Sequence, residues 1–187
     1  MKQFLFLIFC LIFLNSFAQP DKQQLERELF NLPNVSFTNV SKPGDPFLTY
    51  DLMVKQPIDH QHPEKGYFSQ WIQLKHRGFN NPTVIETHGY QMGRGGNEVE
   101  QMLNANNIGV EFRYFGKSVP DSMQWEYLTN TQAAADLHAV NQLFRQLYKG
   151  KWFSTGISKG GQTTLYYKYL YPEDVDVAIH NVDPREN

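Results

Sequence analysis

Cysteine is all but missing from this 187-residue sequence, with Cys10 the only one. It lies inside the uninterrupted apolar run of residues 4–14, with Lys2 ahead and Ser16-Phe17-Ala18 behind. That arrangement reads as a secretory signal peptide over residues 1–18, cleaved after Ala18. The expected mature chain, from residue 19, then holds no thiol, which excludes a disulfide framework and any thiolate-held metal site. Charge of one sign is also scarce. Lys and Arg number 17 against 19 Asp and Glu, a formal net charge of −2, and no block of five like charges occurs. The loss of Lys2 leaves 16 basic residues and a charge of −3. The basic face of a nucleic-acid binder is therefore absent. Beyond the leader no apolar run is long enough to span a bilayer, and repeats and low-complexity tracts are lacking. The expected setting is bacterial and exported, either secreted or periplasmic.

Gly156-Ile157-Ser158-Lys159-Gly160 stands out against these absences. Glycines two positions before and two after a serine permit a turn so tight that side chains there would collide, with the serine strained at its tip. Residues 151–155 read as a short strand before it and residues 162–170 as a helix after it, stopped by Pro172. A strand, a Gly-x-Ser-x-Gly turn and a helix together specify a nucleophile elbow. The plain alternative is a small-residue turn at an ordinary junction.

Other elements follow in order. Residues 21–30 read as a helix and the chain to Pro46 as irregular. Strands are expected at 47–54, 67–76, 83–87, 108–114 and 175–182, and helices at 97–103 and 131–147. The last helix carries Leu137, Val140, Phe144 and Leu147 on one face. Alternating strands and helices after an opening strand pair argue an α/β fold of the α/β-hydrolase type. Its sheet would be mostly parallel with helices on both faces, ending after about the sixth strand.

A serine hydroxyl needs a base to take its proton and donors for the oxyanion of its acyl intermediate. The elbow offers the backbone N–H of Lys159. A second donor is expected from His88-Gly89-Tyr90 at the end of the third of these strands, with Tyr90 N–H first and Gly89 next. His88 reads as a structural residue of that loop. Downstream of Ser158 stand one histidine, His180, within an expected strand, and Asp174, Asp176 and Asp183. Asp183 is either a triad acid or a turn former before Pro184. His138 reads as a solvated residue on a polar helix face. His60 and His62 lack a third ligand, so no metal is assigned. The Gly93–Gly96 loop lacks the lysine and threonine spacing of a phosphate loop. The sequence thus reads as the N-terminal part of a hydrolase domain that stops before its acid and histidine.

Three stretches resemble one family. They are Glu111-Phe112-Arg113-Tyr114-Phe115-Gly116-Lys117-Ser118; Thr131 through His138; and Gly150-Lys151-Trp152 through Gly161 with Tyr171-Pro172-Glu173-Asp174-Val175-Asp176. They are similar to secreted bacterial serine peptidases of the prolyl tripeptidyl/tetrapeptidyl aminopeptidase type. The resemblance covers roughly residues 80–184. It implies Ser158 as nucleophile, no cofactor, a peptide substrate, and release of short peptides from free N-termini, often after proline. It also implies that the family's acid, histidine and helical cap lie beyond Asn187, leaving this chain alone inactive. Glu111 and Arg113 carry two readings: functional, with Glu111 holding a substrate's free amino group or Arg113 bracing the site, or structural, as a strand-end ion pair or packing element next to the elbow. Two other functions compete: an exported esterase on the same scaffold, and a non-catalytic fragment or decayed relative.

Overall fold

The computed structural model describes residues 21–93 and 96–181. The expected signal peptide, Asp183 and two residues of the glycine loop, Arg94 and Gly95, lie outside them. Two compact units divide the chain at Pro33. The first contributes a helix over residues 21–31, here α1, with Leu25, Leu29 and Leu32 along one stripe and Lys22 one turn from Glu26.

The second unit is one seven-stranded sheet. Its strands are β1 (Val35–Asn39), β2 (Leu48–Pro57), β3 (Tyr67–His76), β4 (Thr83–Thr87), β5 (Asn106–Val110), β6 (Trp152–Ile157) and β7 (Val177–Asn181). Their order is β1-β2-β3-β5-β4-β6-β7. The first three strands join antiparallel, and β5, β4, β6 and β7 are mutually parallel. The six expected strands are present. The seventh, β1, falls where irregular chain was expected, and its five residues gain their ladder only by pairing Val35–Asn39 with Tyr50–Val54. Its alternating exposure is that of an edge strand, too short to be signalled by periodicity alone.

Helices α2 (Glu98–Leu103), α3 (Asn130–Phe144) and α4 (Lys159–Leu170) cover both faces. The register of β4 shows why. Glu86 bonds Asn97, the N-cap of α2, whereas its neighbour Thr87 bonds Gly160 and Thr164 of α4. Adjacent strand residues point to opposite faces, so α2 and α4 lie on opposite sides of the sheet. α3 packs on α4 and buries Leu137, Val140 and Phe144 of the expected face; the helix ends at Phe144, and Leu147 is buried from the turn that follows. Thr129 caps its start by accepting from Gln132 N.

One boundary differs in substance. The run expected as strand to residue 114 leaves the sheet after Val110. Tyr114 and Gly116 both take positive φ, 70° and 54°, and Tyr114 N donates to Ser118 O at 2.7 Å. Residues 111–118 are a tight loop despite their β-favouring aromatics, because buried side-chain bonds described below outweigh local propensity.

Candidate active site

β6 delivers the chain to the elbow and α4 takes it away. Between them Ser158 sits at φ 55° and ψ −122°, a region L-residues avoid unless the surroundings enforce it. The enforcement is steric. A methyl group at Gly156 would strike Gly160 O and Thr87 Oγ1, and one at Gly160 would strike Thr87 O. Hence strand and helix approach more closely than any side chain allows. Ser158 N donates to Asn181 O at 2.9 Å, tying the tip to β7, and Ser158 O accepts from Gln162 N at 3.1 Å.

Thr87 braces the turn from below. Its Oγ1 lies 2.8 Å from Gly160 O, 3.1 Å from Thr155 O and 2.6 Å from Thr164 Oγ1. Its single proton serves one carbonyl while it accepts from Thr164. No spacing in the sequence points to Thr87, since its partners lie 68 to 77 residues away.

The loop after β4 leans on the same turn. Gly89 lies so close to Lys159 that a methyl group there would meet the lysine stem and its carbonyl carbon. Among the described residues no acceptor takes the N–H of Tyr90 or of Lys159. Ser158, Lys159, Tyr90, Gly89, Gly156 and Gly160 all line one cavity of about 590 Å³. A concavity of about 660 Å³ beside Arg145 and Lys168 has no serine or threonine in its lining, and its lysine and arginine ends are bonded to backbone or acid groups. Six of the expected site residues are therefore brought together at the carboxyl ends of the parallel strands, where open α/β sheets bind ligands.

His88 also lines the cavity, with Nε2 3.9 Å from Glu86 Oε1. Burial pushes its pKa down, and the charges of Glu86 and Glu111 only partly oppose this. Glu86 is itself fixed through Oε2 by Asn97 Nδ2 at 3.1 Å and Asn107 Nδ2 at 2.9 Å.

Glu111 and Arg113 stand outside the cavity lining, and both are consumed internally. Arg113 is fully buried, its Nε and Nη2 bidentate to Asp136 at 2.7 and 2.8 Å. Its remaining donors reach the carbonyls of Ile58, Tyr127 and Pro57. Glu111 accepts from Met92 N at 3.1 Å, Lys117 N at 2.7 Å, and Ser118 N and Oγ at 3.0 and 2.8 Å. Both side chains are thus engaged by partners inside the fold.

Four other histidines are engaged elsewhere, and His180 lies exposed within β7. His60 Nε2 lies 2.7 Å from Asp136, while His62 faces Glu64, so the pair does not converge on one point. His76 meets Tyr148. His138, expected to be solvated, is instead held 2.7 Å from buried Asp174 and stacks on Tyr171 at 4.2 Å. Its stack closes only because the turn after α4 folds back, a contact invisible to helix periodicity. Among the described residues no histidine bonds Ser158, and no three His, Cys, Asp or Glu side chains gather as a metal set. No described helix is long and apolar enough to cross a membrane.

Comparison with known proteins agrees with this architecture. The chain is 31% identical over 164 residues to the prolyl tri/tetrapeptidyl aminopeptidase of Streptomyces mobaraensis. The match takes in 87% of this chain and 34% of that protein, so the chain spans about a third of its relative. Among solved structures it resembles acetyl xylan esterase 1 from Thermoanaerobacterium sp. JW/SL YS485, with a TM-score of 0.57 and 12% identity over 85% of this chain and 56% of that one. The Pyrococcus furiosus esterase Pf2001 gives a TM-score of 0.53 and 19% identity over 75% and 53%. At such identity these likenesses establish the fold, which is that of the α/β-hydrolases. The sequence pattern of one peptidase family matches residues 18–187, and the chain belongs to that family, the PS-10 peptidases S37.

Proposed function

We propose that this chain carries the nucleophile and oxyanion donors of an exported serine exopeptidase that releases tri- and tetrapeptides, with a preference for proline, from free N-termini. The observation that carries the proposal is the conformation of Ser158, strained at a strand–helix turn beside two unbonded amides. In the reaction Ser158 Oγ attacks the scissile carbonyl and loses its proton to a base. Lys159 N–H and Tyr90 N–H, with Gly89 N–H close behind, receive the oxyanion. The leaving peptide departs with a proton on its new amine, and water then releases the acyl group, with no cofactor required. Among the described residues no histidine bonds Ser158, so the proposal takes its base from a histidine outside them, and residues 21–181 alone are expected to be inactive. The name of the Streptomyces relative supports the peptide and its length. The apolar leader of residues 4–14 supports export.

Reaction of the intact protein with a fluorophosphonate, beside Ser158→Ala, tests the nucleophile. Chromogenic tripeptides ending in proline, with free and acetylated N-termini, test the substrate class. Serine-dependent labelling with turnover of the free-amine peptide alone is the expected result. Equal turnover of both peptides overturns the exopeptidase assignment, and turnover of simple esters only would move the protein to the esterases.

A further inference from the structure

Glu111 is a buried carboxylate with only 1% of its surface exposed, yet among the described residues no lysine or arginine pairs with it. Its charge is met by four N–H and O–H donors from two separate segments. Oε1 takes Met92 N, two residues beyond Tyr90, and Oε2 takes Lys117 N, Ser118 N and Ser118 Oγ. Burying a carboxylate is costly unless such donors are fixed around it. The site is built to hold it: Gly116, at φ +54°, has no room for a methyl group because Glu111 Oε1 fills the space.

The adjoining residue finishes the support. Phe112 N donates to Tyr90 O at 3.3 Å, so the segment bearing Tyr90 is fastened at the carbonyl of Tyr90 and the amide of Met92. The Tyr90 ring meets Phe115 edge-on at 5.3 Å. On the other side, Lys159 Nζ lies 4.7 Å from the centre of the Phe112 ring and 5.9 Å from that of Tyr90, within cation–π range. Its stem presses on Gly89. Ser118 Oγ also accepts from Trp71 N at 2.9 Å, anchoring the assembly to β3. The Tyr90 segment therefore rests on the pair Glu111-Phe112, and the Lys159 ammonium lies over the same Phe112 ring.

We infer that Glu111 is a positioning residue whose carboxylate sets the Tyr90 amide against that of Lys159, preorganising the oxyanion site. The inference rests on the reading of those two amides as oxyanion donors. Such donors work only when held in place before charge develops, and a displacement of about 1 Å costs on the order of 100-fold in rate.

The test uses the intact protein, with active serine titrated by a fluorophosphonate and turnover of p-nitrophenyl acetate expressed per titrated serine. Glu111→Gln keeps the shape but turns an NH2 group toward an N–H donor on one segment. Gly116→Ala keeps the charge and crowds the carboxylate. Each is expected to lower kcat by about 10- to 100-fold, with KM within about twofold of the parent. Wild-type kcat per titrated serine in both variants overturns the inference while leaving Ser158 as nucleophile. An untitrated serine in the wild-type protein instead removes the nucleophile reading and this inference with it. If Glu111→Gln does not fold, Gly116→Ala decides. Failure of both to fold overturns positioning in favour of a purely structural role.

Discussion

The elbow around Ser158 and the loop from Glu111 to Ser118 are both tight turns at the carboxyl end of a parallel strand, but different forces hold them. At the elbow the constraint is backbone against backbone, with Gly156 and Gly160 leaving no space for a carbon atom. In the loop the constraint is side-chain charge, with Glu111 and Arg113 each drawing remote donors or acceptors around themselves. Local sterics are written in a five-residue spacing. Long-range bonds from residues 57, 58, 127 and 136 to one guanidinium are not. Disturbing one turn at a time separates the two forces.

Ser158→Ala should have the largest effect. It leaves the elbow's glycines and amides in place and removes the reacting oxygen. Turnover by the intact protein should fall by about 10⁴-fold or more, leaving only what binding and the oxyanion donors supply. Thermal unfolding should be nearly unchanged, since Ser158 is exposed and bonds Asn181 and Gln162 through its backbone. A variant that keeps more than about a tenth of the activity places the nucleophile elsewhere.

Arg113→Met is the matching perturbation of the loop and should act on stability. It strands the Asp136 carboxylate with His60 alone and leaves three carbonyls without their donor. Breaking a buried pair from one side costs about 3–5 kcal/mol, measurable by urea unfolding. A loss below about 1 kcal/mol would mean that water replaces the guanidinium and that the loop does not depend on it.

These two cases show how far the sequence reaches. β4 and the face of α3 are legible because periodicity and apolar content are local properties, and the elbow is legible because its glycines sit at fixed distances from the serine. The extent of β5 is misread because Phe112, Tyr114 and Phe115 favour strands, whereas the burial of Glu111 turns the chain away. β1 is missed because a five-residue edge strand is defined by its partner. His138 looks solvated on a helical wheel, since Asp174 and Tyr171 come to it from beyond α4.

Thr87→Val probes the elbow's brace with a shape-conserving change. The hydroxyl leaves, so Gly160 O or Thr155 O and the buried Thr164 Oγ1 lose a partner. An unsatisfied buried group costs about 1–3 kcal/mol. If backbone sterics alone hold the turn, only stability should fall and phosphonylation of Ser158 should proceed at its parent rate. A slower reaction would show that the elbow also needs this hydroxyl, blurring its contrast with the loop.

The smallest expected effect lies where the two regions meet, at His88. Its folded pKa is pushed below the ordinary value of about 6.5 by burial, against the partial opposition of Glu86 and Glu111. The unfolded chain therefore binds a proton first as pH falls. Stability contributed by the neutral ring is present above about 6.5 and is lost as pH falls from there toward the depressed folded value. Unfolding free energies measured from pH 8 to pH 5 should decline more steeply in the parent than in His88→Gln. Because Glu111 is one of the charges opposing the shift, Glu111→Gln should depress the His88 pKa further and steepen the acid loss, readable by histidine NMR titration. An unmoved titration would place the loop's carboxylate outside the electrostatic reach of the residue that opens the oxyanion segment, and the two turns would then be independent.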